Sequence, residues 1–194
     1  MMVPMTTAGQ GPPATADREP RTAAPTHRSD AGDTPDLDSF PLMAKGNKYE
    51  DFTVGQTLEH HWGRTLDQSD NVAFSTATCA WLPLHLNREY ARSQGHPDVV
   101  LNPMLVLCTA VGLSVEDLSE SGGPFLGIDD CTFLLPVYAG DTITATSRVV
   151  DMRTSASKPG VGIVTWHTHA RNQRQELVLE FVRTNLVAKR GDQS

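Results

Sequence analysis

Met104-Leu105-Val106-Leu107-Cys108-Thr109-Ala110-Val111-Gly112-Leu113 is apolar on nearly every face of a helix. A surface helix would show a polar residue at every third or fourth position, so this stretch predicts a helix covered on most sides. The segments that follow supply the cover. Phe125 to Leu134, Thr142 to Asp151, Val161 to Ala170 and Glu176 to Val187 are β-branched, alternating and bounded by turn residues, which predicts four strands. Gly140-Asp141, Pro159-Gly160 and the polar Asn172-Gln173-Arg174-Gln175 mark the connections. A buried helix followed by antiparallel strands predicts an α+β fold, with a curved antiparallel sheet wrapped around one central helix.

Upstream signals are shorter. Tyr49 to Leu58 alternates loosely around Gly55 and predicts a first strand or extended entry segment. Thr65-Leu66-Asp67-Gln68 fits a capping box ahead of Val72, Phe74 and Ala77, so a short helix is predicted to begin there. Pro83 prevents a helix from running through Cys79 to Leu86, a stretch that reads as a loop. Asn87 to Gln94 predicts a second short helix ending at Gly95.

Composition bounds the rest. The chain has 194 residues, with 23 acidic against 16 basic side chains and a net charge of −7. An acidic balance excludes a general nucleic-acid binder, because neutralising phosphates needs clustered Lys and Arg. No run approaches the roughly 18 apolar residues that span a bilayer, so no membrane partner is expected. Residues 1–44 hold seven of the thirteen prolines and few apolar residues. Such a segment cannot offset an ordering entropy of roughly 1–2 kcal/mol per residue. The expectation is a disordered tail over 1–44, one domain over 45–190 and a flexible end over 191–194. Cys79, Cys108 and Cys131 are odd in number and lack C-x-x-C spacing, so they read as reduced, mostly buried thiols of a cytoplasmic protein.

Several motifs resemble the MaoC-like hotdog-fold dehydratases, which include the (R)-specific enoyl-CoA hydratases. Tyr49-Glu50-Asp51-Phe52-Thr53-Val54-Gly55-Gln56 resembles that family's opening strand, and Gly63-Arg64-Thr65 through Asp70-Asn71 its first helix. Pro83-Leu84-His85-Leu86 resembles the active-site loop, and Val111-Gly112-Leu113-Ser114 the central helix. Phe133-Leu134-Leu135-Pro136-Val137-Tyr138-Ala139-Gly140-Asp141-Thr142 is similar to the family's F-x-x-P-V-x-x-G-D-T turn. The resemblance covers residues 47–190. It implies a hotdog domain acting on an acyl thioester, carried by coenzyme A or a carrier protein. It also implies a homodimer or a dimer of dimers, because hotdog sheets pair edge to edge and an exposed edge strand is a liability. No cofactor or metal is implied.

The family's chemistry uses a carboxylate or Asn five residues before a His, both facing one water. A backbone N–H at the start of the buried helix stabilises the enolate oxygen. On this sequence the His is His85, the position five before it is Ala80, and the helix-start dipeptide is Asn102-Pro103. Ala80 has no proton to exchange and Pro103 has no N–H to donate. Losing one such donor typically costs about 2.7–4 kcal/mol of transition-state stabilisation. Two readings stay open. In one, the chain is a hydratase/dehydratase with an altered site, a divergent lyase in a biosynthetic pathway. His85 is then the base, Asn102 anchors the thioester, and Ala80, Trp81 and Pro103 shape the pocket. In the other it is a catalytically silent hotdog subunit that binds an acyl ligand or supports an active partner.

Each candidate also has a structural role to fill. Asn102 suits a helix N-cap, Trp81 simple packing, and Asp67 and Asp70 helix capping. His85 itself suits a buried structural histidine, and Asp98 lies near the helix entrance. Arg153 and Lys158 flank a turn and suit either coenzyme A phosphates or solvent. His167 and His169 fall on one face of a strand, with His60-His61 upstream. Zinc would need three or four converging ligands, and no Cys or carboxylate spacing supports that, so they read as surface or core histidines.

Overall fold

The computed structural model describes residues 45–191; the expected tail over 1–44, and residues 192–194, lie outside the described residues. The long strands appear where alternation places them, each within a few residues. They are β3 (Phe125–Phe133), β4 (Thr142–Thr154), β5 (Val161–Arg171) and β6 (Leu177–Ala188). With the short β1 (Thr57–Glu59) they form an antiparallel sheet in the order β1-β4-β5-β6-β3, and β2 (Arg64–Thr65) pairs with the start of β4. Along β5, Val164, Trp166, Thr168 and Ala170 are buried while Thr165, His167, His169 and Arg171 face outward. One face of the sheet is thus core and the other is not.

Helix α4 (Pro103–Leu113) packs on the inner face, where Val106, Leu107 and Ala110 meet Ile143, Leu179 and Phe181. This is the hotdog arrangement, a sheet wrapped around one helix. The cover is less complete than hydrophobicity predicts. Met104, Cys108 and Gly112, spaced one turn apart, form an exposed line along α4. All three cysteines are exposed rather than buried: Cys108 lies on that line, Cys79 in a turn at φ 55°, and Cys131 in the irregular part of edge strand β3.

The front half departs from the sequence reading in three places. Thr65 does not start a helix: its hydroxyl meets Thr142 at 2.7 Å and Leu66 N–H donates to Asp141, so the chain stays extended there. The helix α1 (Gln68–Ala77) begins two residues later, with Asp70 accepting the Asp67 N–H at 3.0 Å. Pro83 opens a short helix, α2 (Pro83–Leu86), since the first helical position needs no N–H donor. The first strand shrinks to β1, preceded by a single 3-10 turn at Tyr49–Asp51. Helix α3 (Arg88–Ser93) follows as expected, capped by Asn87 and ended before Gly95. A one-turn α5 (Val115–Leu118) extends α4.

A second core lies beneath α5, where Phe52 meets Trp166 edge to face at 5.3 Å. Some polar groups threaded through this end are paired, while Trp166 Nε1 and the Nε and Nη2 of Arg183 are buried without a hydrogen-bond partner among the described residues. The buried His60 ring bonds Asp117 through Nδ1 at 2.6 Å and Ser147 Oγ through Nε2 at 2.8 Å. Ser147 Oγ also meets Thr168 Oγ1 at 2.8 Å. His60 is therefore a core histidine. Arg183, 1% exposed, donates to Ser114 Oγ and lies over the Trp166 ring; burial lowers its pKa to about 10.

Burial lowers the His60 pKa despite the neighbouring Asp117. The folded state therefore binds fewer protons than the unfolded chain. This contribution to stability is fully present above the ordinary histidine value of 6.5 and is lost as pH falls through it toward the folded value. Urea unfolding should show decreasing stability from pH 7.5 to 5.5, with a smaller decrease in His60→Gln. A decrease of equal size in the variant would contradict this assignment.

Candidate active site

The sequence leading into α4 carries the site. Val100 and Leu101 are tied to their neighbours by backbone bonds, Val100 N–H to Leu84 and Leu101 N–H to Val137. That pairing fixes α2 against the strand-like turn after β3 and turns the Val100 carbonyl onto the His85 ring. His85 is 5% exposed, and its Nδ1 lies 2.8 Å from that carbonyl. A carbonyl can only accept, so Nδ1 carries the ring proton and Nε2 of the neutral ring keeps its lone pair. No partner for Nε2 is present among the described residues.

His85 lines a cavity of about 260 Å³ between α2, the start of α4 and the β3–β4 connection. Pro103, Val106, Val137 and Val178 form much of the wall, and His85 is its only titratable lining group among the described residues. A wider recess of about 390 Å³ runs along Trp62, Cys108 and Gly112 on the outward line of α4, but no histidine lines it. The His85 cavity is the one that joins a buried histidine to the start of α4.

Behind the cavity wall runs a chain of buried amides. Asn71, fully buried on α1, donates from Nδ2 to the His85 carbonyl at 2.7 Å. Its Oδ1 accepts the Asn102 N–H at 2.8 Å. Asn102 in turn accepts the Met104 N–H on Oδ1 at 3.0 Å and donates from Nδ2 to Ser75 Oγ at 3.3 Å. One side chain on α1 thus joins the histidine to the start of the central helix. Sequence reading missed Asn71 and Ser75. It used Val72, Phe74 and Ala77 only to place the helix, in which Val72 is 45% exposed and the buried residues are the polar pair. Their spacing of four on a capped helix was the available signal.

Of the residues named from sequence, the structure brings His85 and Pro103 onto the cavity. Asn102 caps α4 from behind the wall. Its bond to Met104, with proline at the preceding position, leaves the two leading residues of the helix with no free N–H to present. Ala80 sits half-buried in the turn between α1 and α2, its N–H bonded to Ser75, and Trp81 is 66% exposed outside the cavity. Asp98 is held by Arg88 Nε at 2.8 Å, and that bond, with one from the Val99 N–H, lowers its pKa. Asp70 pairs with Arg64 at 2.8 Å. Arg153 and Lys158 lie by the β4–β5 turn, at the end of β5 opposite the cavity, roughly 30 Å away at the usual rise per residue.

Comparison with known proteins follows the same lines. A family profile described as mesaconyl-CoA hydratase matches residues 30–194, beginning inside the stretch that composition reads as a tail. The chain is 38% identical over 155 residues to the mesaconyl-CoA hydratase of Haloarcula marismortui, covering 79% of this chain and 43% of that protein. It spans less than half the length of the mesaconyl-CoA hydratases it matches. Among solved structures it is similar to a putative MaoC domain protein dehydratase from Chloroflexus aurantiacus, with a TM-score of 0.74 and 30% identity over 80% of this chain and 44% of that one. It is also similar to a structure named monoamine oxidase regulatory protein from an Archaeoglobus, with a TM-score of 0.67 and 32% identity over 76% of this chain and 99% of that one. The chain therefore belongs to the mesaconyl-CoA hydratase family, built on the MaoC-like hotdog fold.

Proposed function

We propose that this chain is one hotdog unit of a coenzyme A thioester hydratase/dehydratase in which His85 alone moves the proton. The observation that carries this reading is the His85 ring, held through Nδ1 by the Val100 carbonyl with Nε2 unpartnered, on an apolar cavity. In the hydration direction Nε2 takes a proton from water as its oxygen adds to the β-carbon of the enoyl thioester. The electron pair of the double bond moves to the α-carbon and thioester carbonyl, and the same nitrogen returns the proton to the α-carbon. Water is thus added across the double bond with no net charge left on the protein. A carrier-protein thioester presents the same acyl chemistry.

Charge on the enolate oxygen must be met without the leading N–H groups of α4. Asn102 retains one amide hydrogen beyond its bond to Ser75 and lies between two cavity-lining residues, Leu101 and Pro103. In this reading it anchors the thioester carbonyl only once its Nδ2 turns from Ser75, behind the wall, toward the cavity. Ala80 and Trp81 lie outside the cavity lining and supply no proton to it.

A second hotdog unit completes the assembly, as a homodimer, a dimer of dimers or a separate partner chain. The relatives' greater length supports this, as does the edge strand β3, where Phe125, Leu126 and Phe133 are each more than 40% exposed. The unpaired thiols fit a cytoplasmic setting. Ala80, Pro103 and the occupied Met104 N–H favour the alternative of a silent subunit that binds an acyl group beside an active partner.

Loss of enoyl absorbance with mesaconyl-CoA, crotonyl-CoA and longer trans-2-enoyl-CoAs separates the two. Turnover by the wild type is expected to fall at least about 100-fold in His85→Ala. Unchanged turnover in that variant would remove His85 from the chemistry, and no turnover in the wild type would favour the silent subunit. Asn71→Ala strips partners from the His85 carbonyl and the Asn102 N–H. It should lower unfolding stability by about 2–4 kcal/mol and turnover with it. A stability change below about 0.5 kcal/mol would show that the amide chain is not needed to hold the site.

A further inference from the structure

The outer face of the sheet carries a cluster with no part in the chemistry above. His167 and His169 are two apart on β5, so both imidazoles stand on the outward face. Glu180 on β6 is the direct cross-strand partner of His169. Its Oε2 lies 3.6 Å from His167 Nε2 and 3.4 Å from His169 Nε2, and the two rings meet edge to face at 4.5 Å. The three donor atoms all lie within 4.8 Å of one another, on side chains about one-third exposed.

A zinc-class ion binds imidazole nitrogen and carboxylate oxygen at about 2.0–2.2 Å, which sets neighbouring ligands of a tetrahedral site about 3.3–3.5 Å apart. Two of the three separations here are already close to that spacing. One carboxylate oxygen serving two imidazoles is the arrangement a shared cation would hold. From this geometry we infer that His167, His169 and Glu180 bind one divalent transition-metal ion, of the Zn²⁺, Ni²⁺ or Co²⁺ class, with a remaining position open to water. Two nitrogens and one oxygen select against Mg²⁺ and Ca²⁺, which take oxygen ligands.

The surroundings bear on affinity in both directions. Burial, and then the neighbouring His167, lower the His169 pKa. Arg148, paired across from His167, and Arg171, on the same face of β5, oppose a dication, and the Glu180 carboxylate offsets one of those charges. Thr146 and Thr132 complete the row beside His169 and Glu180. The sequence could not show this set, because Glu180 joins the histidines only through strand register.

The test is titration of the chelator-treated, untagged full chain with Zn²⁺ by calorimetry and with Co²⁺ by visible absorption. One ion per chain is expected, with affinity at least tenfold weaker in His169→Gln and in Glu180→Gln and unchanged in His61→Gln. Co²⁺ should give the intense visible bands of a four-coordinate N/O site. Absence of binding, wild-type affinity retained in His169→Gln or in Glu180→Gln, or a thiolate-to-cobalt charge-transfer band from the exposed cysteines would each overturn the assignment.

Discussion

The site depends on one buried amide. Asn71 has no contact with solvent, and its two ends bind the carbonyl of His85 and the N–H of Asn102. A primary amide is suited to this task because it offers a donor and an acceptor on one rigid plane. Leaving either backbone group buried and unpaired would cost about 1–3 kcal/mol. The helix that carries His85 and the helix that forms the core are therefore held in one register by a side chain from a third.

The remaining geometry follows from that register. With α2 fixed, the Val100 carbonyl meets Nδ1 of His85 and sets its tautomer, so the nitrogen left with a lone pair is chosen by a backbone group rather than by a carboxylate. The apolar wall around it excludes competing hydrogen-bond partners. Pro103 gives up an N–H at the helix start while suiting the helix there, and Asn102 closes the next donor by capping it. Local stability at this helix start has been favoured at the position where related chemistry places an anion. That leaves the proposed site with one histidine as its base and a sparse means of holding an enolate.

Much of the fold is legible in the sequence because its largest parts have the simplest periods. The ten residues from Met104 to Leu113, all apolar but Thr109, and the alternation along β4, β5 and β6 each specify a burial pattern, which the sheet and helix satisfy together apart from the exposed Met104, Cys108 and Gly112. The buried Asp141 shows how a short motif is read the same way. Its carboxylate accepts from the Tyr138 N–H, Gln173 and Arg174, tying the turn before β4 to the β5–β6 hairpin. Thr65 and Pro83 misled because a local rule has two outcomes: a hydroxyl can cap a helix or pair across strands, and a proline can end a helix or begin one. His85, Ala80 and Pro103 were legible through resemblance. Asn71 and the Val100 carbonyl were not, since one is a polar residue whose partners lie 14 and 31 residues away and the other has no side chain to read. Glu180 stands 11 residues from His169 in the chain and beside it in the sheet, a relation that only register reveals.

The central claim is that the Val100 carbonyl holds the proton of neutral His85 on Nδ1 and leaves Nε2 free as the base. Nitrogen-15 NMR of histidine-labelled protein, with His85 assigned by comparison with His85→Gln, reads this directly. At pH above the histidine range the His85 signals should show a protonated, pyrrole-like Nδ1 and an unprotonated, pyridine-like Nε2. The opposite pattern, with the proton on Nε2, would contradict the account and take the base out of the site.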